Sequence, residues 1–207
     1  MNQQSRTILG VIAFAVIIMG AIFAYNVLVN DEANAPDSMI IHTTVPTQTT
    51  APTMQESTTA PQTQPETGLE PAPNFNLLDS DGNELQLSDF FGKPIVLNFW
   101  ATWCPACVRE TPVFETLYQE YGDRVHVLKV NLLGSRGETK EIVENFMHNG
   151  GYTFPLFFDD NDSGARAYAV RGIPITFFID ENGYIAATAS GSLNERTMAQ
   201  GLETILR

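Results

Sequence analysis

Apolar and polar positions divide the chain into three segments. Residues 7–29 are almost continuously apolar and carry no charge. A helix of that length, at about 1.5 Å per residue, spans roughly 34 Å, which is enough to cross the hydrocarbon core of a bilayer. Residues 30–72 are rich in Thr, Pro, Gln and Ala and lack an apolar period, so they predict a disordered linker. Residues 73–207 have the apolar periods of one folded α/β domain.

The apolar run has two interpretations, an uncleaved anchor and a cleaved signal peptide. Residues 33–35 (ANA) resemble a cleavage site, but the apolar core of a signal peptide is shorter, about 7–15 residues, so we favour a transmembrane signal-anchor helix. Arg6 is the only Lys or Arg before the run and Lys93 is the next one, which by the positive-inside rule places residues 1–6 in the cytoplasm. We therefore expect a single-pass protein of a bacterial cell membrane whose C-terminal domain is extracytoplasmic.

The pattern in residues 73–207 predicts a mixed β-sheet with helices on both faces. Strand and helix periods alternate until a terminal hairpin, and that order favours this α/β architecture. The predicted elements are a hairpin of strands 75–78 and 84–87, a strand 95–100, a helix 104–121, a strand 125–132, a helix 138–148, a short strand 154–158, a short helix 164–170, hairpin strands 175–179 and 184–190, and a closing helix 194–206. The helix 138–148 is predicted to bury Ile142, Val143, Phe146 and Met147 on one face.

The net charge and the number of cysteines limit the classes of function that fit this chain. The formal net charge is −13 at pH 7, which argues against nucleic acid as a partner, because binding a polyanion needs clustered Lys and Arg. Cys104 and Cys107 are the only cysteines. Two cysteines make no disulfide framework, and a lone pair at this spacing is typical of catalytic or redox-sensing thiols, or less often of half a metal site.

The position of the two cysteines predicts a redox site. A buried strand, 95–100, leads to Cys104 at the start of a helix, where unsatisfied N–H groups and the helix dipole favour a thiolate. Cys104 is therefore the candidate nucleophile. Cys107 lies about one helical turn later, so it can attack the mixed disulfide that Cys104 forms and close a redox-active Cys104–Cys107 disulfide. Pro105 lacks an N–H and therefore suits the first helical turn.

Three stretches carry a family resemblance, namely residues 74–93, residues 100–107 (WATWCPAC) and residues 172–176 (GIPIT). In this order they resemble a thioredoxin fold with an added N-terminal β-hairpin and, more narrowly, the TlpA/ResA-like membrane-anchored thiol–disulfide oxidoreductases. The resemblance covers residues 71–207. It implies an enzyme that reduces disulfides of exported proteins, such as apocytochrome c, and is itself reduced by a membrane electron donor. A disulfide oxidase, or a general disulfide-exchange protein, would use the same residues.

The resemblance also assigns further site residues. It implies that Glu110, which shares a helical face with Cys107, handles protons near the cysteines; the alternative is an ordinary acidic residue in a first helical turn. It implies a cis peptide bond at Pro174, with the backbone of Ile173 pairing with substrate. Trp103 and Pro105 are expected to border the substrate site.

Two further positions have plainer interpretations. Thioredoxins carry a buried Asp where this chain has Asn98, and an amide cannot act as a base. This departure favours Glu110 for proton handling, and Asn98 is otherwise a hydrogen-bonded core amide. Trp100 is expected to pack in the core rather than to border the site.

Other classes of protein fit less well. A peroxiredoxin has Thr three residues before its reactive Cys, where this chain has Ala101, and a copper chaperone of related fold has wider cysteine spacing and a nearby His. Residues 159–164 (DDNDSG) resemble part of a calcium loop, but its twelfth position is Val170 rather than Glu, so they indicate an Asp-rich helix cap. A non-catalytic binding or metallochaperone module is the alternative of another class. We expect a monomer without a cofactor or a bound metal.

Overall fold

The strands of the folded domain lie in one mixed sheet. The computed structural model describes residues 38–41 and 68–206 of the chain. Its strands are β1 (Ser38–Ile41), β2 (Glu70–Pro71), β3 (Asn76–Asp79), β4 (Glu84–Gln86), β5 (Ile95–Trp100), β6 (His126–Leu132), β7 (Leu156–Asp159), β8 (Ile175–Ile179) and β9 (Tyr184–Ser190). Their order across the sheet is β1-β9-β8-β5-β6-β7-β3-β4, and β2 also pairs with β9. β5, β6 and β7 run parallel, whereas β8 is antiparallel to β5.

Side chains cap the N-termini of two of the longer helices of the described part. The helices are α1 (Pro105–Tyr121), α2 (Lys140–Gly150), α3 (Ser163–Ala167) and α4 (Glu195–Ile205), with short 3-10 turns at Leu87–Phe90 and Ser135–Gly137. The side chain of Thr139 accepts the backbone N–H of Ile142 at the start of α2, and that of Asn194 accepts the N–H of Thr197 at the start of α4. Such caps satisfy N–H groups that have no partner inside the helix.

Two hydrophobic clusters cover opposite faces of β5. Successive side chains of a strand point to opposite faces. Val96 therefore packs with Phe178 and with residues of α1 and α4, while Leu97 packs with Phe177 on the other face. All six residues of β5 are buried. This explains why its sequence is apolar on both faces, with Asn98 as the one polar residue, rather than alternating.

The predicted elements are largely confirmed, with one error in a buried face. β5, β8 and β9 have the predicted bounds, and β3 and β4 form the predicted antiparallel hairpin. Ile142, predicted to be buried, is 45% exposed, whereas Val143 and Met147 are buried. The reason is geometric, because Ile142 is rotated by about 100° from Val143 around an α-helix of 3.6 residues per turn. Phe146 is half-buried.

Two strands fall inside the predicted linker. β1 pairs with β9 from Ser38 opposite Ser190 to Ile41 opposite Ala187, and β2 pairs with β9 as well. The prediction of disorder over residues 30–72 is therefore wrong for both strands. The physical reason is that β9 would otherwise present unpaired N–H and C=O groups along the sheet edge, which favours the pairing of another strand.

The predicted membrane anchor, residues 7–29, lies outside the described residues, as do residues 42–67 of the linker. Within residues 38–41 and 68–206, no helix has both the length and the apolar character needed to cross a bilayer.

Candidate active site

Cys104 and Cys107 lie where β5 meets α1. Cys104 is the N-cap residue of α1 and Pro105 stands in its first turn. The two cysteines form a disulfide, with their Cα atoms 5.3 Å apart. Cys104 Sγ accepts the backbone N–H of Cys107 at 3.3 Å. Cys104 is 5% exposed whereas Cys107 is fully buried, so Cys104 is the more accessible of the two cysteines.

The loop before β8 lies next to the sulfur of Cys104. The Ile173–Pro174 peptide bond is cis, as predicted. The carbonyl oxygen of Ile173 lies 3.6 Å from Cys104 Sγ. A groove of about 430 Å³ beside this loop is lined by Gly172, Ile173, Pro174 and Gly191, among others. An extended chain segment lying in this groove would pass the reactive sulfur.

The two tryptophans have different environments. Trp100 is fully buried and its Nε1 donates to the backbone oxygen of Lys129 at 3.2 Å, which confirms its predicted packing in the core. Trp103 is half-buried and its Nε1 donates to the backbone oxygen of Ser135 at 3.0 Å. Because Trp103 directly precedes Cys104, this hydrogen bond links the segment that carries Cys104 to the loop after β6.

Glu110 is held in a closed polar cluster one helical turn beyond Cys107. Its side chain is fully buried. Its Oε1 accepts a hydrogen bond from Asn98 Nδ2 at 3.0 Å and lies 3.7 Å from Lys129 Nζ. Its Oε2 accepts the backbone N–H of Leu193 at 3.0 Å. A buried carboxylate with this many donors is a specific structural feature rather than an ordinary helix-start acid.

Lys129 supplies the positive charge of this cluster. Its Nζ donates to Asn98 Oδ1 at 3.1 Å. The same nitrogen lies 4.2 Å from the centroid of the Trp100 ring and 4.9 Å from that of Phe114. Two ring faces and one carboxylate therefore surround an ammonium group that has no exposed surface.

Burial shifts the pKa of both ionisable groups toward their neutral forms. It raises the pKa of the Glu110 carboxyl, an effect that the charge of Lys129 and the hydrogen bonds from Leu193 and Asn98 oppose. It lowers the pKa of the Lys129 ammonium, which the charge of Glu110 opposes. A carboxyl with a raised pKa gives and takes a proton closer to neutral pH than the same group in water.

Sequence reasoning missed Lys129, although a signal for it exists. A lysine in the middle of a predicted buried strand needs a partner for its charge, and the strand 125–132 is apolar on both sides of it. The interpretation of Asn98 as a hydrogen-bonded core amide is confirmed, because its Nδ2 also donates to Thr176 Oγ1 at 3.0 Å. Asn98 thus links Glu110, Lys129 and β8.

A second buried carboxylate holds the loop that precedes Cys104. Glu138, 4% exposed, accepts the backbone N–H of Thr102 at 2.7 Å, the hydroxyl of Thr102 at 2.7 Å and Nδ2 of Asn131 at 2.8 Å. Sequence reasoning placed Glu138 at the start of a helix, whereas α2 begins at Lys140. Nothing in the sequence distinguishes this bridging Glu from a helix-start acid.

The Asp-rich stretch before α3 caps that helix. Asp159 Oδ2 accepts the backbone N–H of Ala165 at 2.8 Å, and Asp162 is the N-cap residue of α3. Within the part of the chain that the structure describes, no group of three or more His, Cys, Asp or Glu side chains is arranged to hold a metal ion.

Comparison with known proteins agrees with this geometry. The model of the AhpC/TSA family matches residues 69–188, which is more than half of the chain. The chain belongs to this family. Its relatives include the thiol–disulfide oxidoreductase ResA of Geobacillus thermodenitrificans, 42% identical over 135 residues, 65% of this chain and 75% of the relative. ResA of Bacillus subtilis is 38% identical over 125 residues, 60% of this chain and 68% of the relative.

Solved structures of related proteins have the same fold. StoA from Bacillus subtilis superposes with a TM-score of 0.56 at 27% identity, over 64% of this chain and 99% of that chain. The exposed lipoprotein thioredoxin Etrx1 from Streptococcus pneumoniae superposes with a TM-score of 0.56 at 32% identity, over 63% and 98% of the two chains. The folded domain therefore has a thioredoxin fold. The chain is a thiol–disulfide oxidoreductase of the ResA type.

Proposed function

We propose that this oxidoreductase is anchored in the cell membrane by residues 7–29 and reduces disulfides of exported proteins, with apocytochrome c among its substrates. One observation carries the proposal. Cys104 lies at a helix N-terminus, retains 5% of its surface exposed, and has its sulfur 3.6 Å from the Ile173 carbonyl oxygen, while Cys107 is fully buried. This difference in burial supports Cys104 as the attacking cysteine and Cys107 as the resolving one.

The reaction starts from the reduced pair. The thiolate of Cys104 attacks one sulfur of the substrate disulfide, so a mixed disulfide forms and one substrate thiolate leaves and takes a proton. The thiolate of Cys107 then attacks Cys104 Sγ, the mixed disulfide breaks, and the second substrate thiolate leaves and takes a proton. Two electrons pass to the substrate, and the Cys104–Cys107 disulfide remains. A membrane electron donor restores the dithiol.

The surrounding residues bind substrate and move the proton. The backbone of Ile173, next to Pro174, pairs with an extended substrate segment, while Trp103 and Pro105 border the sulfur. Glu110 takes the thiol proton of Cys107 as that sulfur attacks, because its raised pKa makes the carboxylate a stronger base than an exposed glutamate.

Trapping of the mixed disulfide tests the roles of the two cysteines. The reduced Cys107→Ser variant is expected to accumulate a covalent adduct with a disulfide-containing protein, because the resolving thiol is gone. The Cys104→Ser variant is expected to form none and to lose reductase activity. Disulfide reduction that survives in Cys104→Ser would contradict the proposal. If both variants are inactive while the wild type oxidises dithiols rapidly, the oxidase alternative replaces the reductase.

Fractionation of cells tests the anchor. The full chain is expected to stay with the membrane pellet in alkaline carbonate, and external protease is expected to digest the domain in spheroplasts. Deletion of residues 1–29 should release the domain from the pellet. Recovery of the full chain in the soluble fraction, or protection of the domain from external protease, would contradict the predicted orientation.

A further inference from the structure

Two exposed arginine side chains lie on segments next to Cys104, Arg136 over the ring of Trp103 and Arg171 in the groove beside Ile173. Arg136 lies on the turn after β6, and its guanidinium carbon is 4.3 Å from the centroid of the Trp103 ring. Arg171 lines the same groove as Ile173, whose carbonyl oxygen is 3.6 Å from the Cys104 sulfur. Both arginines are exposed. We call Arg136 and Arg171 the arginine rim.

The turn that carries Arg136 is fixed in an unfavourable conformation. Arg136 has φ 49°, in the left-handed region that side chains with a Cβ rarely adopt. The turn is held by the hydrogen bond from Trp103 Nε1 to the Ser135 oxygen, by the bond from the Ser135 hydroxyl to the Leu132 oxygen, and by the bond from the Glu138 N–H to the Ser135 oxygen. Strain that several contacts maintain in a turn next to a reactive group points to a function for the side chain that it presents.

The rim differs in charge from the rest of the molecule. The chain has a net charge of −13, so it repels acidic partners at long range. Neither rim arginine forms an ion pair with a residue that the structure describes. A neighbouring pocket is lined by Asp162, Arg166 and Arg171. The carboxylate of Asp162 lies beyond ion-pair distance of Arg166 and of Arg171. The guanidinium of Arg136 lies over the Trp103 ring, and its N–H groups can donate to a carboxylate.

We propose that the arginine rim selects substrates whose disulfide is flanked by Asp or Glu. The proposal rests on the proposed function and names its substrate class. An extended acidic segment lies along Ile173, and carboxylates on the two sides of its cystine meet Arg171 and Arg136. The arginine rim thereby offsets the electrostatic repulsion between this acidic chain and an acidic substrate near Cys104, where the substrate disulfide must approach.

Three disulfide peptides that differ only in flanking charge test the proposal. Each contains the same intramolecular disulfide, with two Glu, two Gln or two Lys as neighbours. The reduced full chain in neutral detergent is mixed with each peptide, and acid-quenched samples are alkylated and quantified to give second-order rate constants. We expect the Glu peptide to react about fivefold faster than the Gln peptide at low salt, since two exposed charge contacts are modest individually. The difference should shrink toward one at high salt.

Three variants, two of them double, locate the effect. In Arg136→Gln/Arg171→Gln, the ratio of the Glu and Gln rates should fall to about one. Arg136→Lys/Arg171→Lys keeps the charges and should keep most of the preference, which separates charge from disruption of the turn. Arg124→Gln is the matched control, because its guanidinium carbon also lies over a ring, 5.8 Å from that of Tyr121, at the far end of α1. It should leave the ratio unchanged.

The outcomes separate this inference from the proposed function. Equal rates for all three peptides, or a faster Lys peptide, would overturn the role of the rim while leaving the reductase intact. Loss of the preference in Arg124→Gln would also overturn it, because the effect would then reflect net charge alone. Failure to reduce any of the peptides or a protein disulfide would overturn the proposed function itself.

Discussion

Replacing Lys129 by Met removes the positive charge from the buried cluster around Glu110. The substitution keeps a flexible side chain of similar length against the rings of Trp100 and Phe114. It leaves the Glu110 carboxylate with the donors of Asn98 and Leu193 only. Removing one partner of a fully buried ion pair costs about 3–5 kcal/mol when the other stays charged. We expect a loss of about 3 kcal/mol at pH 8, which is a large part of the stability of a small domain.

The loss of folding stability in Lys129→Met depends on pH. Burial already raises the pKa of Glu110, and loss of the Lys129 charge raises it further. A carboxyl whose folded-state pKa exceeds its unfolded value stabilises the fold fully below the unfolded pKa, and this contribution is lost as the pH rises through the folded pKa. The variant should therefore be closest to the wild type near pH 5 and should fall behind it toward pH 8.

Urea unfolding of the oxidised fragment 36–207, followed by circular dichroism between pH 5 and 8, measures this effect. Glu110→Gln/Lys129→Met has no charged group left in this cluster and should be more stable than Lys129→Met at pH 8. Lys140→Met is the matched control, because Lys140 Nζ also lies 3.7 Å from a carboxylate, that of Glu144, but on the surface; it should cost at most about 1 kcal/mol. A loss in Lys129→Met below about 1 kcal/mol at pH 8, or a double variant no more stable than the single one, would refute the reasoning.

Three further changes test individual contacts by urea unfolding. Glu138→Gln removes the carboxylate that accepts both the N–H and the hydroxyl of Thr102, so it should cost about 2 kcal/mol and speed hydrogen exchange at the Thr102 amide. Gly201→Ala brings a Cβ into the ring of the buried Phe178 and should cost about 1–3 kcal/mol. Asn194→Ala removes the N-cap acceptor of α4 and should cost about 1 kcal/mol.

Controls for these changes are present in the same molecule. Glu115 makes the same pair of contacts with Thr153, at 2.7 Å to its N–H and 2.6 Å to its hydroxyl. Glu115→Gln should therefore lower stability without faster exchange at the Thr102 amide. Gly172→Ala adds a Cβ that meets open space and should leave stability unchanged. If Gly201→Ala is as stable as Gly172→Ala, the contact of the added Cβ with Phe178 is not the cause of the loss. If exchange at the Thr102 amide is the same in Glu138→Gln and Glu115→Gln, Glu138 does not hold the loop at Thr102.

Local patterns predicted the positions of the strands and helices well. The apolar run of β5, the hairpin of β8 and β9, and the closing helix each depend on neighbouring residues, which the sequence displays directly. The cysteine pair was found for the same reason, because two residues at a fixed spacing follow an apolar strand.

Contacts between distant segments were harder to predict. Lys129 and Glu110 are on different elements, so their pairing depends on how α1 packs against β6. Glu138 was interpreted as a helix-start acid because its acceptor role depends on the loop at Thr102, 36 residues away. Residues 38–41 were assigned to the linker because pairing with the edge of β9 involves residues about 150 positions later, which local composition does not indicate.

The equilibrium reduction potential of the Cys104–Cys107 disulfide tests the central claim most directly. The full chain is equilibrated with thiol–disulfide buffers, and the fraction of free thiol is measured after alkylation. We predict one two-electron transition near that of thioredoxin, about −270 mV, as a reductase fed by a dedicated donor requires. A value near that of DsbA, about −120 mV, would contradict the reductase and favour an oxidase. The absence of any two-electron transition would contradict the redox function altogether.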